Sequence, residues 1–198
     1  MRFHILALAA LALLPAEGAR AVVFAVHPGK DSKVVFTSKA PTETFQGKTD
    51  QLEGTLTLDP SALGDSISVH LEVNMASLST GKKLRDAHMR EDHLEVVKYP
   101  KAVFEGAALL GPAGTKLEPG RLTPFQVEGT FELHGVSRRM RFPAEATFTP
   151  VGQGGKLAFK ATFSVALPDY QIKRPEFLFL KLAEVQEVEV SAIASSAP

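Results

Sequence analysis

Residues 84–106, LRDAHMREDHLEVVKYPKAVFEG, gather the side chains of this chain best equipped for polar chemistry. Arg85, Asp86, His88, Arg90, Asp92 and His93 fall within nine positions. Imidazole beside carboxylate is the donor set of a zinc site and the pairing of an acid–base relay. Spacing argues against the metal. Neighbours on one helical face stand three or four residues apart, so the interval between His88 and His93 turns their rings away from each other. The charged residues then read most simply as a solvated helix with ion pairs of small energetic worth.

Other catalytic constellations are missing from the sequence. It has no cysteine, no Gly-x-Ser-x-Gly elbow, no phosphate-cradling glycine loop and no paired-histidine zinc motif. No catalytic residue, metal or cofactor is expected. His134 precedes Gly135 in a tight-turn signature and reads as a turn residue, where positive φ is tolerated. Tyr99-Pro100 reads as a chain-reversal device, with the isomer of its bond left open.

The elements that would position these groups are strands. From residue 22 onward apolar and polar residues alternate with period two, which puts every second side chain on one face. Residues 22–26 and 33–38 are short strands about Pro28-Gly29-Lys30-Asp31, and that turn predicts a hairpin between them. Residues 45–58 form two further pieces, with Gly47 and Gly54 marking bulges or close backbone approaches. In residues 66–74, Ile67, Val69, Leu71 and Val73 face one way and Ser68, His70 and Glu72 the other. A short helix is predicted over residues 82–92, capped by Ser79-Thr80 and lying on the surface or over an opening.

Strand character returns at residues 102–110, with Ala102, Phe104, Gly106, Ala108 and Leu110 on one face. A Gly/Pro-rich loop follows. Residues 122–133 and 138–150 are strands joined at His134-Gly135, then comes a strand about 157–165, a proline-punctuated crossing at 167–180 and a last strand at 183–194. The tail from Ser195 is expected to fray. About eight or nine antiparallel strands with one apolar face must pair as two sheets or close into a barrel. Periodicity leaves sandwich and barrel open, and likewise a filled and a hollow interior.

Composition limits the partners. The 198 residues suit a single domain, and 22 basic against 22 acidic residues create no field to attract nucleic acid. Thirteen Phe against two Tyr and no Trp puts nearly all aromatic surface into rings without a polar handle, which belong in dry places. Residues 1–21 read as a cleavable export signal: Arg2 leads, residues 5–14 are apolar, and Ala19-Arg20-Ala21 has small-x-small form. The apolar run is too short to span a bilayer, so no transmembrane segment is expected in the mature chain. Its location would be periplasmic or secreted. The sequence leaves monomer and homodimer both open.

Several ordered blocks carry a resemblance. They are Asp31-Ser32 leading into Val34-Val35-Phe36, Phe45-Gln46-Gly47 through Leu58-Asp59, the whole of residues 84–106, residues 127–138 with Leu133-His134-Gly135-Val136-Ser137-Arg138, and Pro168-Asp169-Tyr170 with the last strand. On these blocks, spread over residues 22–198, the chain resembles the YceI-like family of exported bacterial proteins. Lys39-Ala40-Pro41 departs from it, since many relatives carry a histidine after the second strand. The resemblance implies an all-β fold, an antiparallel eight-stranded lipocalin-like barrel with a short helical segment near 82–92. It implies a long-chain lipid or isoprenoid ligand in an apolar cavity lined by Phe36, Leu56, Val69, Leu71, Phe104, Val127, Phe131, Phe142, Phe159 and Phe163. Arg85, Asp86 and His88 become either head-group contacts at a mouth or a structural latch. Two other readings stand beside this one: a barrel with a packed interior serving as an interaction module, and an enzyme acting on a small hydrophobic substrate.

Overall fold

The computed structural model describes residues 21–39, 43–63, 67–111, 115–152, 154–174, 176–177 and 180–197. All but the last residue of the expected export signal lies outside them, as do Ala40 and Pro41. The described strands are β1 (Val22–Val26), β2 (Ser32–Lys39), β3 (Thr44–Thr49), β4 (Leu52–Leu58), β5 (Ser68–Asn74), β6 (Lys101–Leu110), β7 (Leu122–Leu133), β8 (Val136–Val151), β9 (Gly154–Ala166), the short β10 (Glu176–Phe177) and β11 (Leu180–Lys181), and β12 (Val185–Ser196).

Strands β1, β4, β5, β6, β7, β8, β9 and β12 follow one another around a ring that the β1–β12 pairing closes, giving an antiparallel eight-stranded barrel. The hairpin β2–β3 extends it from the edge of β12. Ring closure turns the apolar face of every strand inward and leaves no free edge along the ring. No helix among the described residues is long and apolar enough to cross a membrane.

The hairpin expected between the first two strands does not form. β1 pairs with β4 and with the end of β12, whereas β2 pairs with β3 and with residues 187–192 of β12. The two strands lie end to end along one edge of β12, whose twelve residues are long enough to take both. A turn signature sets where the chain bends, and pairing is set by which partner completes the apolar face.

Two other expectations shift for local reasons. A register irregularity between Gly106 and Ala108 inserts one residue into β6, so the alternation changes phase. Leu109 is therefore buried and Leu110 is not, the reverse of the sequence expectation. The tail holds its place through Ser196, since Ser195 pairs with Ala25 and Lys156.

Glycine permits two close approaches. The Phe36 ring lies over Gly47, where a Cβ would come within 2.1 Å of it. Gly54 takes a φ of 143°, and a Cβ there would meet the carbonyl oxygen of His70 at 2.0 Å. The second contact is with backbone of the paired strand β5 and cannot be relieved by a rotamer change.

The end of the barrel away from residues 75–93 is closed by Phe24, Leu58, Leu117 and Leu157. Backbone bonds from Leu63 to Thr115 and from Leu117 to Pro60 cross that end. At the other end lies helix α1 (Lys83–His88), running into a π-helical turn at Met89–His93. Met89, Leu94 and Val96 pack onto a second buried cluster with Met75, Leu78, Leu133 and Ile172. The segment thus covers the barrel end with few apolar residues.

Gly54→Ala should cost about 3 kcal/mol or block folding, because it adds overpacking to a disfavoured backbone angle. Urea unfolding measures this. A midpoint equal to that of the unaltered chain would show that β4 and β5 can separate at this point.

Candidate functional site

Between the closed end and α1 lies a cavity of about 650 Å³. That is within the range of sites that enclose small organic ligands, roughly 300–1,000 Å³. The period-two faces supply its wall. Phe36, Leu56, Val69, Leu71, Phe104, Val127, Phe131, Phe142, Phe159 and Phe163 all line it, contributed by β2, β4, β5, β6, β7, β8 and β9. Aromatic rings form a continuous run across the middle: Phe104 lies 5.2 Å from Phe142, Phe142 4.9 Å from Phe163, and Phe163 5.6 Å from Phe131. Ala144 and Ala161 face the same space and keep it open with small side chains.

Polar lining is confined to one end. Among the described residues it consists of Ser38, Glu43, Arg85, His88, His93 and Gln186, all near α1 or near the ends of β2 and β12 that face it. The opposite end is lined by apolar side chains, among them Leu58, Leu63, Ile67, Leu117 and Phe125. The interior is therefore amphiphilic along its length.

The three residues named from the sequence for the mouth separate into different roles. Arg85 lines the cavity, donating to Glu43 at 2.9 Å and, through Nε, to the Thr80 hydroxyl at 2.8 Å. Its guanidinium also lies 3.9 Å above the centre of the Phe45 ring, a cation–π contact joining α1 to the β2–β3 hairpin. His88 stands exposed at the rim.

Asp86 turns away from the cavity. It is only 4% exposed, and it accepts hydrogen bonds from the Ser79 hydroxyl at 2.7 Å and from the backbone N–H of Thr80 at 2.7 Å, as well as from the Thr80 hydroxyl. Ser79 and Thr80 thus serve Asp86 and do not cap the helix, whose N-cap Lys82 makes no side-chain capping bond. Arg90 adds bonds to the carbonyls of Asp86 and Ala76, both at 3.1 Å. Burial by itself would raise the Asp86 pKa. The hydrogen bonds from Thr80 and Ser79, with the charge of Arg90, outweigh it and hold the carboxyl below its ordinary value.

The far side of the cover is tied by histidines. His134 has φ 54° ahead of Gly135 at 73°, the backbone of a tight hairpin turn. Its ring lies within hydrogen-bond distance of Glu95 Oε2 (2.8 Å) and the Tyr170 carbonyl (3.1 Å), and 4.4 Å from the Tyr99 ring. His93 Nδ1 lies 3.0 Å from the carbonyl of Lys173. Among the described residues no three His, Asp or Glu side chains gather as a metal site would need. Tyr99-Pro100 is trans.

Sequence reasoning missed Ser38, Gln186, Glu43 and Phe45 as lining residues. For two of them a signal was present. Ser38 continues the inward phase of Val34 and Phe36, and Gln186 that of Val188 and Val190. A polar residue at an inward position is the mark that was available.

Fold and site together define a closed antiparallel barrel holding an apolar cavity with one polar, helix-covered end. The chain belongs to the YceI-like family, whose domain model matches residues 24–194. Similar solved structures include BcnA of Burkholderia cenocepacia, with TM-score 0.67 and 18% identity over 82% of this chain and 96% of that one. A polyisoprenoid binding domain from Saccharophagus degradans implicated in plant cell wall breakdown gives 0.69 and 14% over 89% of this chain and 99% of that one. The YceI protein of Campylobacter jejuni gives 0.56 and 14%, over 98% and 95%. At such identities the likeness speaks for the fold alone. No curated protein sequence matches the chain.

Because the Asp86 carboxyl titrates below its ordinary range, its stabilisation is complete above about pH 4 and is lost as pH falls toward the lowered value. Asp86→Asn should lower stability at pH 7 by about 1–2 kcal/mol, a few degrees in Tm. The gap from the parent should close below about pH 4. A gap that persists unchanged at pH 3 would assign the effect to shape and not to charge.

Proposed function

We propose that this chain is an exported binding protein that holds a polyisoprenoid or other long-chain amphiphile inside its barrel, as a carrier or reservoir. The observation that carries the reading is the cavity of about 650 Å³, apolar along its wall and polar at one end only. A ligand with a long apolar chain and one polar head matches that distribution. The Saccharophagus degradans neighbour, a polyisoprenoid binding domain, supports the same ligand class. Export is supported by Arg2 and the apolar residues 5–14 ahead of Ala19-Arg20-Ala21.

Energetics suit exchange. Burying apolar surface from water contributes about 0.8 kcal/mol per methylene, so a chain of tens of carbons would nominally saturate any affinity scale. A lipid arriving from a bilayer is already in hydrocarbon. Transfer into the barrel then changes its surroundings little, and selectivity falls to chain length, cavity shape and the polar end. A packed interior is the weaker reading, since a filled barrel leaves no such volume. Catalysis is weaker too: Glu43 is engaged by Arg85 and His93 lies against a backbone carbonyl, which suits holding a head group.

Protein purified without detergent and extracted with organic solvent should yield about one long-chain lipid per chain by mass spectrometry. Empty protein that also refuses isoprenoids in a titration would sink the proposal. Ala161→Phe fills the wall from one side, and in an open cavity it should abolish lipid recovery with little change in Tm. In a packed interior the same change would cost about 1–3 kcal/mol.

A further inference from the structure

Ser38 sits on the inward side of β2 at the polar end of the cavity, 1% exposed. Its hydroxyl oxygen has no hydrogen-bond partner among the described residues. Other buried polar side chains are satisfied by the protein: Ser32 donates to the His27 carbonyl at 2.7 Å, and Asp86 is bonded as above. A buried hydroxyl without a partner is costly, so its persistence points to a partner that the chain itself does not supply. Ser38 lines the cavity, so an occupant there is a partner toward which its hydroxyl can turn.

Gln186 stands beside it. β2 and β12 pair as far as Thr37 with Glu187, which places Gln186 next to Ser38 on the same inward side. One Gln186 amide hydrogen is used on the Ala183 carbonyl at 2.6 Å, and an amide retains further donor and acceptor capacity. Of the ionisable groups lining this end, Arg85 is engaged by Glu43, Thr80 and the face of Phe45, His93 lies against the Lys173 carbonyl, and His88 stands exposed at the rim, away from the deep part. What faces the ligand deep in this end is therefore a hydroxyl and an amide, both neutral. A phosphate drawn in there would lose its hydration without gaining a cation, whereas an alcohol, ketone or ester oxygen needs one or two hydrogen bonds.

We infer that Ser38, with Gln186 beside it, seats the uncharged head oxygen of the bound amphiphile and sets a preference against phosphorylated heads. The inference rests on the carrier reading above and adds the chemistry of the head.

The test is displacement of Nile red from delipidated full-length protein by three chain-matched competitors: geranylgeraniol, geranylgeranyl diphosphate and the hydrocarbon of the same skeleton. The alcohol should bind tightest. Ser38→Ala should weaken the alcohol about fivefold, the size of one hydrogen bond, and leave the hydrocarbon unchanged, while Ser38→Thr should retain the alcohol. In ligand-free protein Ser38→Ala should not lower Tm, because the hydroxyl has no protein partner to lose. Tighter binding of the diphosphate, equal losses for alcohol and hydrocarbon, or a lower Tm in the empty variant would each overturn the inference while leaving the carrier reading standing. Failure of both alcohol and hydrocarbon to displace Nile red from the unaltered protein would remove the carrier reading and the inference together.

Discussion

β12 is the strand on which the rest of the structure depends. One edge takes β9 along eleven residues, Val185 to Ser195, and the other takes β2 and then β1. Without the β1–β12 pairing the sheet would be an open ribbon with an apolar face in water. With it, the faces that each strand could only half bury alone become the inside of a ring. Closure also explains why Val22–Val26 and Ser32–Lys39, two short strands, do not pair with one another. Paired as a hairpin they would leave half the edge of β12 bare.

A closed eight-stranded ring has two ends, and the chain treats them differently. At one, large side chains such as Phe24 and Leu157 are buried and close the ring. At the other, a six-residue helix and a π-turn cross the opening, held by Asp86 beneath and by His134 with Glu95 at the side. A cover fixed by hydrogen bonds at its margins leaves the space below it empty. Polarity at this end comes from other side chains of the cover and of the strands beside it, among them Arg85, His93, Glu43 and Ser38, which border the cavity.

Much of this was legible from residue types. Alternation assigned the inward faces of β5, β7, β8 and β9, and the ten side chains named for the cavity wall all border the empty space. Alternation failed where the backbone broke its own period. The irregularity at Gly106 exchanged Leu110 for Leu109, and no residue type announces which strand of a pair will carry the extra residue. Asp86 was legible as a polar residue in a helical segment. That Ser79 and Thr80 would spend their donors on it depended on how the preceding loop approaches α1, which is a tertiary matter.

The sequence by itself determined the class of structure: strands with one dry face, a single helical interruption and blocks specific enough to mark the YceI-like family. The strands and the interruption follow from local rules, the two-residue period of a strand and the short reach of a turn, which act between neighbours in the chain; the family mark rests on the resemblance of whole blocks. Which strands pair, whether the ring closes, and whether the enclosed faces meet or leave a cavity depend on contacts between residues far apart in sequence. The empty volume is the clearest case. Phe104, Phe142, Phe163 and Phe131 do pack against one another, and only the circumference of the closed barrel, with the small side chains of Ala144 and Ala161 in its wall, decides that space is left beside them.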